Sequence, residues 1–387
     1  MAAGQLVSEA VIVEAVRTPL GRRNGGLSDV HPVDLAATVL SALVERSGID
    51  AGLIDDVVMG CVIQVGEQSL NVGRNAALAA GYPITVPGTT VDRQCGSAQQ
   101  AIHFGAQGIM AGAYDVVVAA GVESMTRVPM FSNVSPGPGR AYGPKMRERF
   151  GVLEDIINQG VSADNIARNW GLDRDFLDGL SVESHRRAAL ARSEGHFERE
   201  IVAVGDVAQD EGIRPETTLE TLAKLKPAFS EDGLHTAGNS SQITDGAAAL
   251  LMMSSERAEA LGLRPRARIV EMALAADDPV LMLTAPWPAT FKALERAGLS
   301  TGDIDVYEVN EAFASVLGAW MYETGVDHAR VNPNGGAMAL GHPVGCSGAR
   351  LMVTMLHELE RTGGRYGLQT MCEGGGMANA TIIERLS

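Results

Sequence analysis

The sequence predicts an α/β protein made of two similar halves, with a segment of different character inserted into the first. Three observations carry that prediction. Short β-branched runs alternate with longer amphipathic ones, a turn-helix-strand pattern recurs at equal spacing, and the composition changes sharply after about residue 125.

The runs 10–15, 56–59, 115–120, 267–272, 306–309, 367–372 and 379–383 have the length and β-branched content of buried strands. Between them, residues 32–46, 97–111, 163–170, 175–193, 285–297, 312–323 and 347–361 repeat apolar side chains at helical spacing. The two halves then match each other. Ile54-Asp55-Asp56-Val57-Val58 precedes the turn Cys95-Gly96-Ser97, and Ile304-Asp305-Val306-Tyr307 precedes Cys346-Ser347-Gly348. Each turn opens a long predicted helix. Val116, in the strand after the first, follows Cys95 by 21 positions, as Gly367 follows Cys346.

The intervening segment opens with Pro129, Pro136, Pro138 and Pro144 among glycines and continues as helices rich in Arg, Asp and Glu. An apolar, Ala-rich run resumes over 243–254. The expected organisation is residues 1–124 plus 243–264 as the first half, 125–242 as an inserted loop domain, and 265–387 as the second half.

With 387 residues, 45% hydrophobic and 20% charged, the chain can bury a large core. A net charge of −16 argues against nucleic acid or an anionic membrane as a partner, because both repel it at long range. The first residues lack a basic and apolar leader, and no apolar run reaches membrane-spanning length, so the expected location is the cytoplasm. Cys61, Cys95, Cys346 and Cys372 form neither a Cys-x-x-Cys pair nor a metal-ligand spacing. No metal and no tightly bound cofactor is expected. The phosphate loop, the dinucleotide fingerprint, His-Glu-x-x-His and Gly-x-Ser-x-Gly are all missing.

Three glycine-rich neighbourhoods each carry a reactive side chain. Cys95, in Asp92-Arg93-Gln94-Cys95-Gly96-Ser97, stands at a predicted helix start, where backbone N–H groups favour a thiolate. Such a cysteine is equally able to be buried and inert. His342 lies between Gly341 and Pro343, on a loop open enough for an imidazole to serve a thiol as base, or merely to cap a turn. Cys346 occupies a small-residue helix start and reads as structural. Cys372, in Met371-Cys372-Glu373-Gly374-Gly375-Gly376, precedes glycines whose N–H groups are accessible to an oxyanion. A disulfide between Cys372 and Cys95 is the rival reading.

Taken in order, Val13-Glu14-Ala15-Val16-Arg17-Thr18-Pro19, Cys95, Gly121-Val122-Glu123-Ser124-Met125, Ala223-Lys224-Leu225-Lys226-Pro227-Ala228-Phe229, Asn310-Glu311-Ala312-Phe313, Gly341-His342-Pro343 and Cys372-Glu373-Gly374-Gly375-Gly376 closely resemble the thiolase family along nearly the whole chain. The resemblance implies duplicated βαβαβαββ halves in a five-layered αβαβα core. It also implies an acyltransferase that cleaves 3-oxoacyl-CoA with coenzyme A, or condenses in reverse. Cys95 would be the nucleophile, His342 its base and Cys372 the acid/base at the α-carbon. Asn310 would hold a water that joins His342 in one oxyanion hole, with the N–H groups of Cys95 and Gly374 forming the other.

Coenzyme A, as substrate, would meet Arg214, Ala237, Ser241, Ala312 and Phe313. Arg127, Arg140, Lys145, Arg147 and Arg149 would either add a positive field for its phosphates or form a solvated or subunit-facing surface. A homodimer or homotetramer is expected. Asn158-Gln159-Gly160 replaces the His-Met-Gly of acetoacetyl-CoA thiolases, and Asp92, Ala98 and Cys346 also depart from the usual Asn, Gly and Ala. These departures point to a degradative enzyme with a broad or bulky acyl site, and the Arg93-Gln94-Cys95-Gly96-Ser97 run resembles thiolases of sterol or fatty-acid side-chain breakdown. A biosynthetic acetoacetyl-CoA thiolase and a non-catalytic lipid carrier of the same fold are the alternatives. Ketoacyl synthases carry a second histidine where this chain has Cys372.

Overall fold

In the first half, strand β1 (Ala10–Arg17) is followed by β2 (Gly21–Arg22), α1 (Pro32–Ser47), β3 (Asp56–Gly60), α2 (Val72–Ala79), β4 (Gly88–Val91), α3 (Ser97–Met110) and β5 (Val116–Ser124). The chain then leaves the sheet for α4 (Pro144–Phe150), α5 (Gln159–Asn169), α6 (Arg174–Ser193) and α7 (Leu219–Ala223). It returns as β6 (Thr244–Ser254), antiparallel to β5, and passes through α8 (Ser255–Ala260). The second half is β7 (Ala267–Ala276), α9 (Pro286–Ala297), β8 (Val306–Val309), α10 (Ala314–Thr324), α11 (Ser347–Thr362), β9 (Tyr366–Glu373) and β10 (Met377–Arg385). This computed structural model describes residues 8–134, 139–151 and 157–386, so Pro136 and Pro138 of the expected Pro/Gly-rich opening lie outside the described residues.

The duplication is visible in the pairing. In the first half β3 lies parallel between β4 and β5; in the second, β8 lies parallel to β9, with a single parallel bridge from Tyr307 to Val331 in place of the outer strand. The strand order is β4-β3-β5-β6-β1 and then β7-β10-β9-β8. Only Val11 and Ile12 of β1 pair with β7, so the two halves join at one corner and face each other across a layer of helices.

Three apolar clusters fill the gaps between layers. Leu35, Val39 and Leu43 of α1 and Val72 and Ala76 of α2 cover one face of the first half. Ala293 and Leu294 of α9, with Leu317 and Trp320 of α10, cover one face of the second. Between the halves, Ala101 and Ile102 of α3 and Met352, Val353 and Leu356 of α11 pack with Val117, Leu250, Ile269 and Ile383 from both sets of strands. The layers therefore run αβαβα.

Besides the two-residue β2, two strands escape the sequence pattern. β6, Thr-Asp-Gly-Ala-Ala-Ala-Leu-Leu-Met-Met-Ser, is buried along its whole length, so it has no polar alternation and its alanines read equally well as helix. β4 is a four-residue edge strand, half-buried and led by glycine. The helix expected from residue 163, α5, starts four residues earlier. There the Asn158 side chain caps it, accepting from the N–H groups of Gly160 at 3.0 Å and Val161 at 3.4 Å.

The inserted segment is anchored to the sheet by a buried charge cluster. Arg17, at the end of β1, donates to Glu200 at 2.6 Å and to both oxygens of Asp210 at 2.7 and 2.9 Å.

Candidate active site

Cys95 sits where β4 gives way to α3. Gln94, before it, has φ of +48°, a left-handed turn that the Asp92 carboxylate stabilises by accepting its N–H at 2.7 Å. The hydroxyl of Ser97 closes the turn, accepting from Arg93 N at 2.9 Å and donating to Gln94 O at 2.6 Å. Burial pushes the Cys95 thiol up to about 12, and Glu373, when ionised, adds to the rise. The N–H groups of Cys95 and Gly374 point at the sulfur and oppose it. Cys372 lies close enough that Cys95 contributes to raising its thiol well above the ordinary value, although burial is the larger cause. All four cysteines are free thiols, so the disulfide reading is set aside. Cys346 is fully buried in the central layer at the start of α11, as its small size suits.

Gly374 begins the β9–β10 turn, and its neighbours Gly375 and Gly376 have φ of +86° and +78°. A side chain is excluded at Gly376, where a β-carbon would stand 2.7 Å from Asp277 O. This turn carries the Gly374 N–H to the Cys95 sulfur.

His342 is held by the first half. Its N–H reaches Thr244 Oγ1 at 3.1 Å, and Gly345 N donates to Glu123 Oε2 at 2.9 Å. Gly341 must be glycine: its φ is +109°, and a β-carbon there would lie 2.2 Å from Thr244 Oγ1. Val344 of the same loop packs in one cluster with Cys95 and Met371.

The imidazole tautomer follows from its partners. Ser347 Oγ donates to Pro343 O at 2.9 Å, so at 2.5 Å from His342 Nδ1 it accepts, and the ring proton is on Nδ1. Nε2 is then a bare acceptor facing Asn310 Nδ2 at 3.4 Å. Burial, helped by Arg350, holds His342 down to about 3, so the ring is neutral. Asn310 is fully buried, and its Oδ1 has no protein partner. Glu311, next to it, ties this region together by accepting from Ser184 Oγ at 2.7 Å, Asn332 Nδ2 at 2.9 Å and Met338 N at 3.1 Å. Ser347, Glu311, Thr244 and Glu123 were not singled out from the sequence. Glu123 and Glu311 lie within segments that carry the family resemblance and Ser347 within the repeated helix-start turn, but no feature of the sequence assigned them a role.

The residues expected to meet coenzyme A fall into two adjoining groups. Arg214 and Ala237 line a cavity of about 330 Å³ with His185, Thr217, Leu222 and Leu225. Ser241 donates its N–H to Ala312 O at 2.9 Å, and a β-bridge joins Ser240 to Phe313. Gln242 links both groups to the histidine loop: its side chain accepts from Arg214 at 3.3 Å, and its backbone carbonyl accepts from His342 N at 3.3 Å. The charge of Arg127, one of the basic residues weighed as a phosphate field, is offset by Glu67. Its guanidinium is bonded to Glu67 at 2.5 and 2.7 Å and to Ser28 O at 3.1 Å.

Two thiols, a neutral imidazole and paired backbone N–H groups at one sulfur define an acyl-transferring enzyme. The chain matches the thiolase N-terminal domain over residues 10–256 and the thiolase C-terminal domain over 263–385. It is 51% identical to the steroid 3-ketoacyl-CoA thiolase FadA6 of Mycobacterium tuberculosis, over 99% of this chain and 96% of that one. It is 43% identical to the 3-ketoacyl-CoA thiolase of Bacillus subtilis, over 98% and 100%. The crystal structure of the Bacillus anthracis acetyl-CoA acetyltransferase superimposes with a TM-score of 0.91 at 40% identity, covering 99% of this chain and all of that one. The chain belongs to the thiolase family.

Proposed function

We propose that this enzyme cleaves 3-oxoacyl-CoA with coenzyme A through a thioester on Cys95, in the degradation of acyl groups larger than acetoacetyl. The observation that carries this reading is the convergence of the Cys95 and Gly374 N–H groups on the Cys95 sulfur, beside Cys372. His342 Nε2 takes the Cys95 proton, and the thiolate attacks the 3-oxo carbon. The resulting oxyanion is held by one pair of donors. When the C2–C3 bond breaks, Cys372 delivers a proton to the departing acetyl-CoA enolate, whose oxygen faces His342 and the water that Asn310 holds. Cys372 then takes the proton of the incoming coenzyme A thiol, the coenzyme A thiolate attacks the thioester carbon, and the shortened acyl-CoA is released as the Cys95 sulfur is expelled and recovers its proton from His342.

Segment 125–242 supplies the coenzyme A side, with Arg214 and Ala237 in one cavity and Ser241, Ala312 and Phe313 beside it. Asn158 is committed to capping α5, so it does not offer the contacts of the histidine it replaces. The steroid thiolase relative supports a bulky acyl group. The enzyme works in the cytoplasm as a homodimer or homotetramer. Leu70 and Ile84, 89% and 82% exposed near edge strand β4, support a subunit contact there.

Incubation with 3-oxoacyl-CoAs of increasing length, without coenzyme A, should leave the acyl mass on the Cys95 peptide. Cleavage of acetoacetyl-CoA alone would replace the degradative reading with the biosynthetic one. Acyl mass on Cys372 instead would exchange the roles of the two thiols. Ser347→Ala, which removes the acceptor for Nδ1–H, should lower kcat about tenfold with KM little changed, the loss of one hydrogen bond of about 1–1.5 kcal/mol. An unchanged kcat would remove Ser347 from the account of the tautomer.

A further inference from the structure

Glu373 stands between Cys372 and Gly374 and takes no part in the steps above. It is fully buried, and both carboxylate oxygens lack a hydrogen-bond partner. Its carboxyl lies against Gly96, the residue after the nucleophile: a β-carbon on Gly96 would stand 2.0 Å from Glu373 Oε1 and 2.8 Å from Asn379 Nδ2. Two further orphans share this site. Asn379 gives its amide N–H to Gly96 O at 3.1 Å and leaves Oδ1 without a donor, and Arg93 Nε has no acceptor.

An ionised carboxylate in such a place has neither donors nor a bonded cation to offset its desolvation, whereas a protonated one has far less to lose. The facing groups agree. The turn before α3 contributes Arg93 and Cys95, and β9 contributes Cys372. The neighbouring β10 residues Met377 and Asn379 do not titrate, and Asp277 and Asp278 abut the same glycine turn through their carbonyls at Gly376. Among the described residues Arg93 is the one cation found to act on Glu373, and its Nη1 is turned to the Met377 sulfur at 3.8 Å.

We propose that Glu373 is a positioning residue that works in its protonated form and acts through Cys95 and Cys372, its ionisation shutting the site by opposing a thiolate on either. The proposal rests on the reading of Cys95 as nucleophile. When Glu373 ionises, its proton leaves to solvent and a negative charge remains beside two sulfurs that must each become negative in turn. Burial holds the carboxyl up to about 8, with Arg93 opposing, which puts the change just above neutrality.

The test compares wild type with Glu373→Gln, which preserves the neutral form, using iodoacetamide alkylation of Cys95 and thiolysis from pH 6 to 9.5. The two enzymes should agree within about twofold at pH 6.5, and the variant should be about tenfold faster in both assays at pH 9.5. A variant-to-wild-type ratio that does not change with pH overturns the proposal. Melting temperature gives a reading independent of turnover. A carboxyl raised by folding stabilises the native state at low pH and loses that contribution as pH rises through its folded value. Wild type should therefore fall relative to the variant as pH rises from about 4.5 and level off once it passes about 8. A melting break without the divergence in rates also overturns the proposal. Should Glu373→Gln fold poorly, Arg93→Gln serves instead: removing the facing cation should move the break in alkylation to higher pH, and an unmoved break counts against it. A Cys95→Ala enzyme that still turns over would instead overturn the nucleophile assignment, which keeps the two failures distinct.

Discussion

Thiolysis by a His342→Ala enzyme is expected to fall by about 10³-fold or more, with most of the loss in kcat. Two effects disappear together: a general base, worth about 10²–10⁴, and one donor to a developing oxyanion, worth about 10²–10³. The two share one side chain, so their factors do not multiply in full. The Cys95 thiol, pushed up to about 12 by burial, holds its proton at working pH and needs a base beside it. The wild-type pH profile checks the same assignment independently. Burial holds His342 down to about 3, so the imidazole is unprotonated throughout pH 5–9, and kcat/KM should show no acidic limb near 6.5. A limb there, or a loss below tenfold in the variant, would sink the assignment of His342 as base.

The difference between what the sequence exposed and what it hid is physical. The reactive side chains stood out because their chemistry demands unusual neighbours. Gly341 sits at φ +109° against Thr244, and Gly376 at φ +78° against Asp277, and only glycine fits either place. The repeat was legible because α3 and α11 are matched helices packed against each other within the central layer. Hidden instead were the groups that act through long-range contact. Glu123 and Gly345 are 222 residues apart in the chain, and Thr244 and His342 are 98 apart, yet each pair is hydrogen bonded. No periodicity encodes such pairs. β6 was hidden for a related reason: a strand buried on both faces loses the alternation by which strands are recognised. Arg127 looked like part of a phosphate field because its charge was visible and its partner Glu67, 60 residues earlier, was not.

Arg17→Met should destabilise the fold by about 3–5 kcal/mol, because it leaves two buried carboxylates without their cation. Arg17, Glu200 and Asp210 are 0%, 1% and 3% exposed, so water cannot take over the lost contacts. Burial already holds Glu200 above the usual carboxylate range despite the guanidinium at 2.6 Å, a sign of how little solvation the site offers. The damage should also be directional. Glu200 and Asp210 belong to the segment inserted between β5 and β6, and Asp210 Oδ1 additionally accepts the N–H of Leu20 at 2.8 Å. Losing Arg17 therefore loosens the join between that segment and the sheet, and with it the cavity of Arg214 and Ala237. Urea unfolding monitored by circular dichroism measures the first effect, and KM for coenzyme A the second. The triple variant Arg17→Met, Glu200→Gln, Asp210→Asn, which removes the stranded charges as well, should recover much of the stability. If the single variant were as stable as wild type, or the triple variant no better than the single, the cluster would not be the anchor that its burial and bonding describe.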